Sequence, residues 1–169
     1  MDAQNSIIIQ PFGVFRAVLL EHTPEDLARG DLTKGRMVLD ETRHNLVTQT
    51  GLNGWAKIVN QESGFSGVIN YCALGTGANA PQLSDTTLQT EVARTTMEVG
   101  SNVRTNNSVA MSFYFGPTVA NGNIKEIGAF VGGTATTDSG TLFDRALFDI
   151  VKTNLNSLFI YFTITFAAS

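Results

Sequence analysis

A chain of 169 residues is long enough to bury one core of ordinary size, whereas two domains would each be small, so a single domain is expected. Hydrophobic residues make up 43% and charged residues only 15%, which argues against disorder, and a net charge of −4 without a cluster of Lys or Arg disfavours nucleic acid and anionic membrane surfaces as partners. The 16 glycines and 11 phenylalanines favour many short strands joined by glycine turns.

Residues 1–11 are polar, then apolar at Ile7, Ile8 and Ile9, then stopped by Pro11, and predict an extended N-terminal arm that docks on a neighbour. The start of the chain has no positively charged leader, and no apolar run approaches the roughly 18 residues of a membrane span, so a soluble protein or a subunit of a soluble assembly is expected. The domain itself is placed at residues 12–169. Residues 12–20 alternate as a strand, with Phe15, Ala17 and Leu19 on one face. Residues 21–35, EHTPEDLARGDLTKG, form a charged excursion with one helical turn at 24–29, and residues 36–40 resume as a strand. The spacing of Leu46, Val47, Leu52, Trp55, Ala56, Ile58 and Val59 predicts a helix over 45–61, with Thr50 as a cap for its later part, Gly51 and Gly54 as weak points, and Trp55 as a core anchor.

Residues 68–94 carry the clearest punctuation. An apolar run at Val68, Ile69, Tyr71, Cys72 and Leu74 reads as a strand covered on both faces. Gly75, Gly77 and Pro81 turn the chain out of the sheet. Ser84 and Asp85 with Thr86 and Gln89 then resemble a capping box and predict a short helix bearing Leu88 and Val92. Residues 94–103 alternate again, residues 101–107 form a polar hairpin tip, and residues 108–115 keep a strict period of two until Gly116 and Pro117. A strand follows at 124–131, then a Gly/Thr/Ser loop at 132–140 that is either flexible or a partner contact.

The C-terminal segments 141–151 and 155–166, split by Lys152, Thr153 and Asn154, predict a hairpin. Leu158, Ile160, Phe162, Ile164 and Phe166 share one face of the last strand, which should therefore be central or covered. Strands that do not alternate with helices favour a mainly β protein, an antiparallel, jelly-roll-like β-sandwich with one or two short helices.

No catalytic constellation stands out. The run GTGANA at 75–80 with Glu98 further on superficially matches a dinucleotide fingerprint, but Pro81 and Ser84 interrupt the helix that a pyrophosphate requires. His22, His44 and Cys72 lack zinc-ligand spacing, and Cys72, the only cysteine, reads as a buried structural thiol. Asp40, Glu41, Arg43 and His44 read as a solvated junction, and Glu91 with Arg94 as a surface ion pair on the short helix. No cofactor, metal or catalytic residue is expected.

Several segments do resemble known proteins. NLVT at 45–48, TGL at 50–52, ALGTG at 73–77 with Pro81, Thr87, Leu88, Glu91 and Arg94, IKEIG at 124–128, GTLF at 140–143 and ALF at 146–148 are similar to virion proteins of tailed bacteriophages. The middle pieces resemble the N-terminal domain of tail-collar and tail-fibre proteins. NLVT, GTLF and the apolar last strand together resemble small capsid-decoration or cement subunits. The resemblance implies a non-enzymatic structural subunit, commonly a homotrimer, whose partners are the major capsid protein or other virion subunits and whose location is the virion, assembled in the host cytoplasm. Decoration is favoured because no repetitive shaft follows the domain. The alternative is a tail-fibre, collar or baseplate component, and a carbohydrate-binding module is more remote. Contacts are expected at Ile7, Ile8 and Ile9, at Pro24, Glu25, Asp26 and Arg29 in the excursion, and at Thr134, Thr136 and Thr137 in the 132–140 tip.

Overall fold

In the computed structural model, which describes residues 9–168, ten strands form two five-stranded sheets that pack face to face. The strands are β1 (Ile9–Glu21), β2 (Arg36–His44), β3 (Leu46–Val47), β4 (Ile69–Gly75), β5 (Glu91–Thr96), β6 (Val103–Thr105), β7 (Ser108–Phe115), β8 (Gly122–Val131), β9 (Thr141–Lys152) and β10 (Asn156–Ala168). Sheet A has the order β2-β1-β10-β7-β6 and sheet B the order β3-β9-β8-β4-β5, with antiparallel pairing throughout. Two helices, α1 (Pro24–Arg29) and α2 (Gln49–Val59), complete an antiparallel β-sandwich of the expected class.

Alternation builds the interior. Phe15, Ala17 and Leu19 of β1 pair in register with Phe162, Ile160 and Leu158 of β10, which pair in turn with Met111, Phe113 and Phe115 of β7. All nine are buried, and they meet Cys72, Leu74, Ile127, Ala129, Ala146, Phe148 and Ile150 from sheet B in one core. The last strand is central in its sheet, as its apolar face requires.

Four local expectations fail, each for a physical reason. First, Ile9 and Pro11 belong to β1 rather than to an arm. Pro11 pairs only with Phe166, because β2 ends beside β1 at Val14 and does not reach it, so the missing proline N–H leaves no ladder bond unmade. Ile7 and Ile8 lie outside the described residues. Second, β9 and β10 are not a hairpin. They run in opposite sheets, so their apolar faces meet across the core instead of lying side by side, and residues 153–155 form a corner closed by a bond from Asn156 N to Thr153 O. Third, the helix expected near residues 86–92 does not form, and Glu91 instead begins β5. Fourth, α2 starts later than the apolar spacing suggests and is capped by Thr48, whose hydroxyl accepts from Gly51 N, while Thr50 donates to Leu142 O at 2.8 Å. Gly51 is required there because a Cβ would overlap the Phe143 carbonyl oxygen of β9, so the residue that weakens the helix also lets it dock.

The register of β10 predicts opposite outcomes for adjacent residues. Phe162→Ala should lower unfolding free energy by ~3–5 kcal/mol, whereas Tyr161→Ala on the outer face should cost at most about 1 kcal/mol. Urea titration checks both, and equal losses would place the strand one residue out of register.

Candidate functional site

The two sheets differ on their outer faces. Sheet B is roofed by two irregular segments, residues 76–90 and 132–140, and each is pinned by a buried ion pair. Sheet A's outer face is exposed at Arg16 and Tyr161, half-buried at Phe159 and Tyr114, and covered toward Val18 and Ser157, where His22 packs.

The first pin is Glu126 of β8, fully buried and within 2.8 Å of Arg145 Nε on β9. A carboxylate in the interior must have its lone pairs filled, and here the backbone N–H groups of Gly77, Gln89 and Thr90 donate to it at 3.0, 3.0 and 2.8 Å. Arg145 spends its remaining donors on Asp85 Oδ2 at 2.6 Å and the Asn79 carbonyl at 3.0 Å. Together they fix both ends of the 76–90 segment and hold Gln89 and Thr90 in a bend ahead of β5, which is why the capping-box signal at Thr86 and Gln89 produces no helix. Gly77 sits against Glu126 and Gln89 where a side chain would collide.

The second pin is Glu91 with Arg94, at 2.6 Å and with side chains 1% and 4% exposed. They lie on a strand rather than a helix, and they are buried rather than a surface pair. Arg94 also donates to the carbonyls of Thr134 and Ser139, both at 3.0 Å, and lies over the Phe130 ring at 4.8 Å. The 132–140 loop is therefore held by a buried guanidinium. Beneath both roofing segments Ala73, Leu88, Phe130 and Leu142 form a second small core.

Beside Arg145 a cleft of about 380 Å³ is lined by Asn79, Gln82, Ser84, Asp85, Thr87 and Gln89. It offers amides and hydroxyls, and its one carboxylate, Asp85, is held by Arg145 and by Gln82 N at 2.9 Å. No nucleophile there faces a base. The chain after Gly77 does not open into a helix, and the Gly77 N–H that would face a pyrophosphate in a dinucleotide fold is bonded to Glu126. Among the described residues no three His, Cys, Asp or Glu side chains converge as metal ligands. His22 is buried against Ser157 Oγ at 2.7 Å, His44 is exposed on β2, and burial pushes the Cys72 thiol pKa far up, which leaves it unreactive.

The predicted contact residues are dispersed. Pro24, Glu25 and Arg29 are exposed on α1, but Asp26 is buried, and the Thr23 hydroxyl and Arg29 hold its carboxyl below the usual range. Thr134, Thr136 and Thr137 are exposed on the roof of sheet B. Asp40, expected in a junction, lies on β2 and pairs with Arg16 at 2.7 Å.

Sequence reading did not single out the outer face of sheet A. There Tyr114, Phe159 and Tyr161 form a row with ring centroids 4.8 and 6.4 Å apart, and Arg16 lies 5.7 Å from the Tyr161 ring. A shallow groove of about 450 Å³ runs beside it, lined by Arg16, Thr42, Ser112, Tyr161 and Thr163. The period of two in β10 contains this face, but only the sheet order brings Tyr114 of β7 and Arg16 of β1 alongside it.

Two further ionisable groups are buried without an opposite charge. Lys152 donates to Gly116 O at 2.8 Å and Asn121 Oδ1 at 3.0 Å, and burial brings its pKa down to about 8. Asp144 faces Gly13 and Asn45 with neither carboxylate oxygen in a hydrogen bond of normal geometry. Burial raises its pKa well above the usual range, and the Arg145 backbone N–H and the Asn45 amide offset only part of that. Comparison with protein-family models, curated proteins and solved structures finds no match.

Removing the first pin should be costly. Glu126→Ala leaves Arg145 with Asp85 as its remaining carboxylate and strips three buried N–H groups of their acceptor, which should lower stability by ~3–5 kcal/mol, with amide exchange accelerated at Gly77, Gln89 and Thr90. Unchanged exchange at those three amides would deny the pin its role. Asp144 generates a pH prediction. Its folded pKa lies above the ordinary 3.8, so the folded state retains a proton that the unfolded chain releases, and stability falls as pH rises from about that value toward the folded pKa. Asp144→Asn should abolish this slope and raise Tm at neutral pH, as calorimetry across a pH series can measure.

Proposed function

We propose that this protein is a non-enzymatic structural subunit of a tailed-phage virion, a capsid decoration or cement protein that stabilises the head by bridging capsid subunits. The observation that carries the reading is the unequal dressing of the two sheets. The roof of sheet B consumes Glu91, Arg94, Glu126 and Arg145 as scaffolding, so these four are committed to holding loops rather than free for chemistry. Sheet A keeps a strip exposed at Arg16 and Tyr161 and backed by the half-buried Phe159 and Tyr114, the part of the surface best suited to lie on a neighbouring subunit. The segments that resemble phage proteins supply Gly77, Glu91, Arg94 and Glu126, so the likeness falls on the residues that hold the roof. A subunit that bridges neighbours binds the assembled lattice better than separated subunits and so stabilises it, and a homotrimer would add avidity.

A second reading is a tail-fibre, collar or baseplate component, favoured by the likeness of the ALGTG, EVAR and IKEIG segments to tail-collar proteins. Copy number separates the two, since decoration fills the head lattice whereas a tail component follows the tail's lower symmetry. Purified protein mixed with undecorated heads should bind in lattice-filling amounts and raise their disruption temperature. Thr163→Arg, placed beside that strip, should abolish binding without lowering the subunit's own Tm. Full binding by the variant would remove this face from the interface, and absence of binding by the unaltered protein would defeat the decoration reading.

A further inference from the structure

Where β8 starts beside the end of β9, Asn121 is followed directly by Gly122, and both are exposed. In an Asn-Gly pair the backbone nitrogen of the second residue reaches the side-chain amide carbon of the first with least obstruction, because glycine has no Cβ beside the five-membered ring that forms. Gly122 has φ +129°, and no heavy atom of the described residues lies within 4 Å of where a Cβ would stand, so this side of the amide is open. The second observation lies on the other side of the amide. Lys152 is 1% exposed and donates to Asn121 Oδ1 at 3.0 Å, Gly116 O at 2.8 Å and Pro117 O at 3.3 Å, with no carboxylate among its partners in the described residues.

We propose that Asn121–Gly122 is a site of self-catalysed deamidation whose product carboxylate becomes the counter-ion that Lys152 lacks. Gly122 N attacks Asn121 Cγ and forms the N–Cγ bond of a succinimide. The Cγ–Nδ2 bond breaks, and ammonia leaves with the proton that Gly122 N gives up. Solvent water then adds at Cγ, the N–Cγ bond breaks, and an aspartate remains on an intact backbone; addition at the main-chain carbonyl gives isoaspartate instead. Lys152 contributes twice. Its ammonium already sits on Oδ1, where negative charge develops during the attack. Afterwards the same ammonium faces a carboxylate, and a cation buried without an opposite charge gains one. The burial that brings the Lys152 pKa down to about 8 measures how unfavourable that isolation is. The chain carries its own control in Asn53–Gly54, the same pair inside α2, where helical hydrogen bonding engages the Gly54 N–H and Asn53 Oδ1 accepts from Gln49 rather than from a cation. This inference is independent of the virion reading, because the chemistry lies within one subunit.

Purified protein aged at mildly alkaline pH and mapped by peptide mass spectrometry should convert amide to acid at Asn121 well ahead of Asn53. Lys152→Met replaces the buried cation by an apolar side chain and should slow conversion at Asn121 by ~10-fold. In fresh protein Asn121→Asp, which mimics the product, should raise Tm at neutral pH, and that gain should vanish in the Lys152→Met background. The comparison of Asn121 with Asn53 needs no variant and stands even where Lys152→Met fails to fold. Equal conversion at the two asparagines, a rate indifferent to Lys152→Met, or a lower Tm for Asn121→Asp would overturn the proposal. Ammonia loss that leaves a cross-linked Lys152–Asn121 peptide would overturn it too, and would assign the pair to an isopeptide bond.

Discussion

The carboxylate of Glu126 sets the constraint on which the roof of sheet B depends. An ionised group with no exposure to water is tolerated only when surrounded by donors, and here those donors are three backbone N–H groups from an irregular segment and the guanidinium of the next strand. The segment that supplies them has no regular hydrogen-bond ladder of its own. Each needs the other: the carboxylate requires the segment's N–H groups, and the segment is held on the sheet by that carboxylate and by the bonds of Arg145 to Asp85 and Asn79. Leu88 follows from this arrangement, because a chain held at Gln89 and Thr90 presses Leu88 onto Phe130 and Leu142.

Glu91 and Arg94 repeat the arrangement two strands further along, on β5, with backbone carbonyls taking the place of backbone N–H groups. The two pins therefore complement each other, one gathering N–H groups around a carboxylate and the other gathering C=O groups around a guanidinium. Charge that in many proteins would be placed for chemistry is consumed here in holding loops on a sheet. The opposite sheet is covered only toward Val18 and Ser157, and the rest of its outer face is built by strands with an aromatic row exposed at Tyr161. That asymmetry suits a subunit that rests on a neighbour with one face and meets solvent with the other.

Much of the architecture was legible in the sequence because the core strands obey a period of two. The face of β10 that carries Leu158 through Phe166, the bounds of β7 and the single turn of α1 all follow from local pattern. The misread elements share one cause: a local signal was outvoted by a distant partner. Thr86 and Gln89 carry a helix-capping pattern, but Glu126, 37 positions beyond Gln89, takes that residue's N–H. Lys152, Thr153 and Asn154 look like a hairpin tip, and the same short link serves equally as a corner between sheets. Glu91 and Arg94 at a spacing of three fit a helix surface, yet a β-bulge at Val92 brings them to the same face of β5, where their side chains meet under a loop. The aromatic row was present in the sequence only as scattered residues.

By itself, the sequence determined that the protein is a glycine-punctuated β-sandwich with its last strand inside, because alternation of large apolar side chains leaves that strand no other stable placement. It also determined where most turns fall, since glycine, proline and asparagine constrain the backbone locally. Only the tertiary structure decided which strands are neighbours, that the two C-terminal strands face each other across the core, and that Glu126 and Arg94 are buried anchors. Those outcomes depend on pairings between residues far apart in the chain, and a one-dimensional pattern carries the preference of each residue for burial but not the identity of the partner that satisfies it.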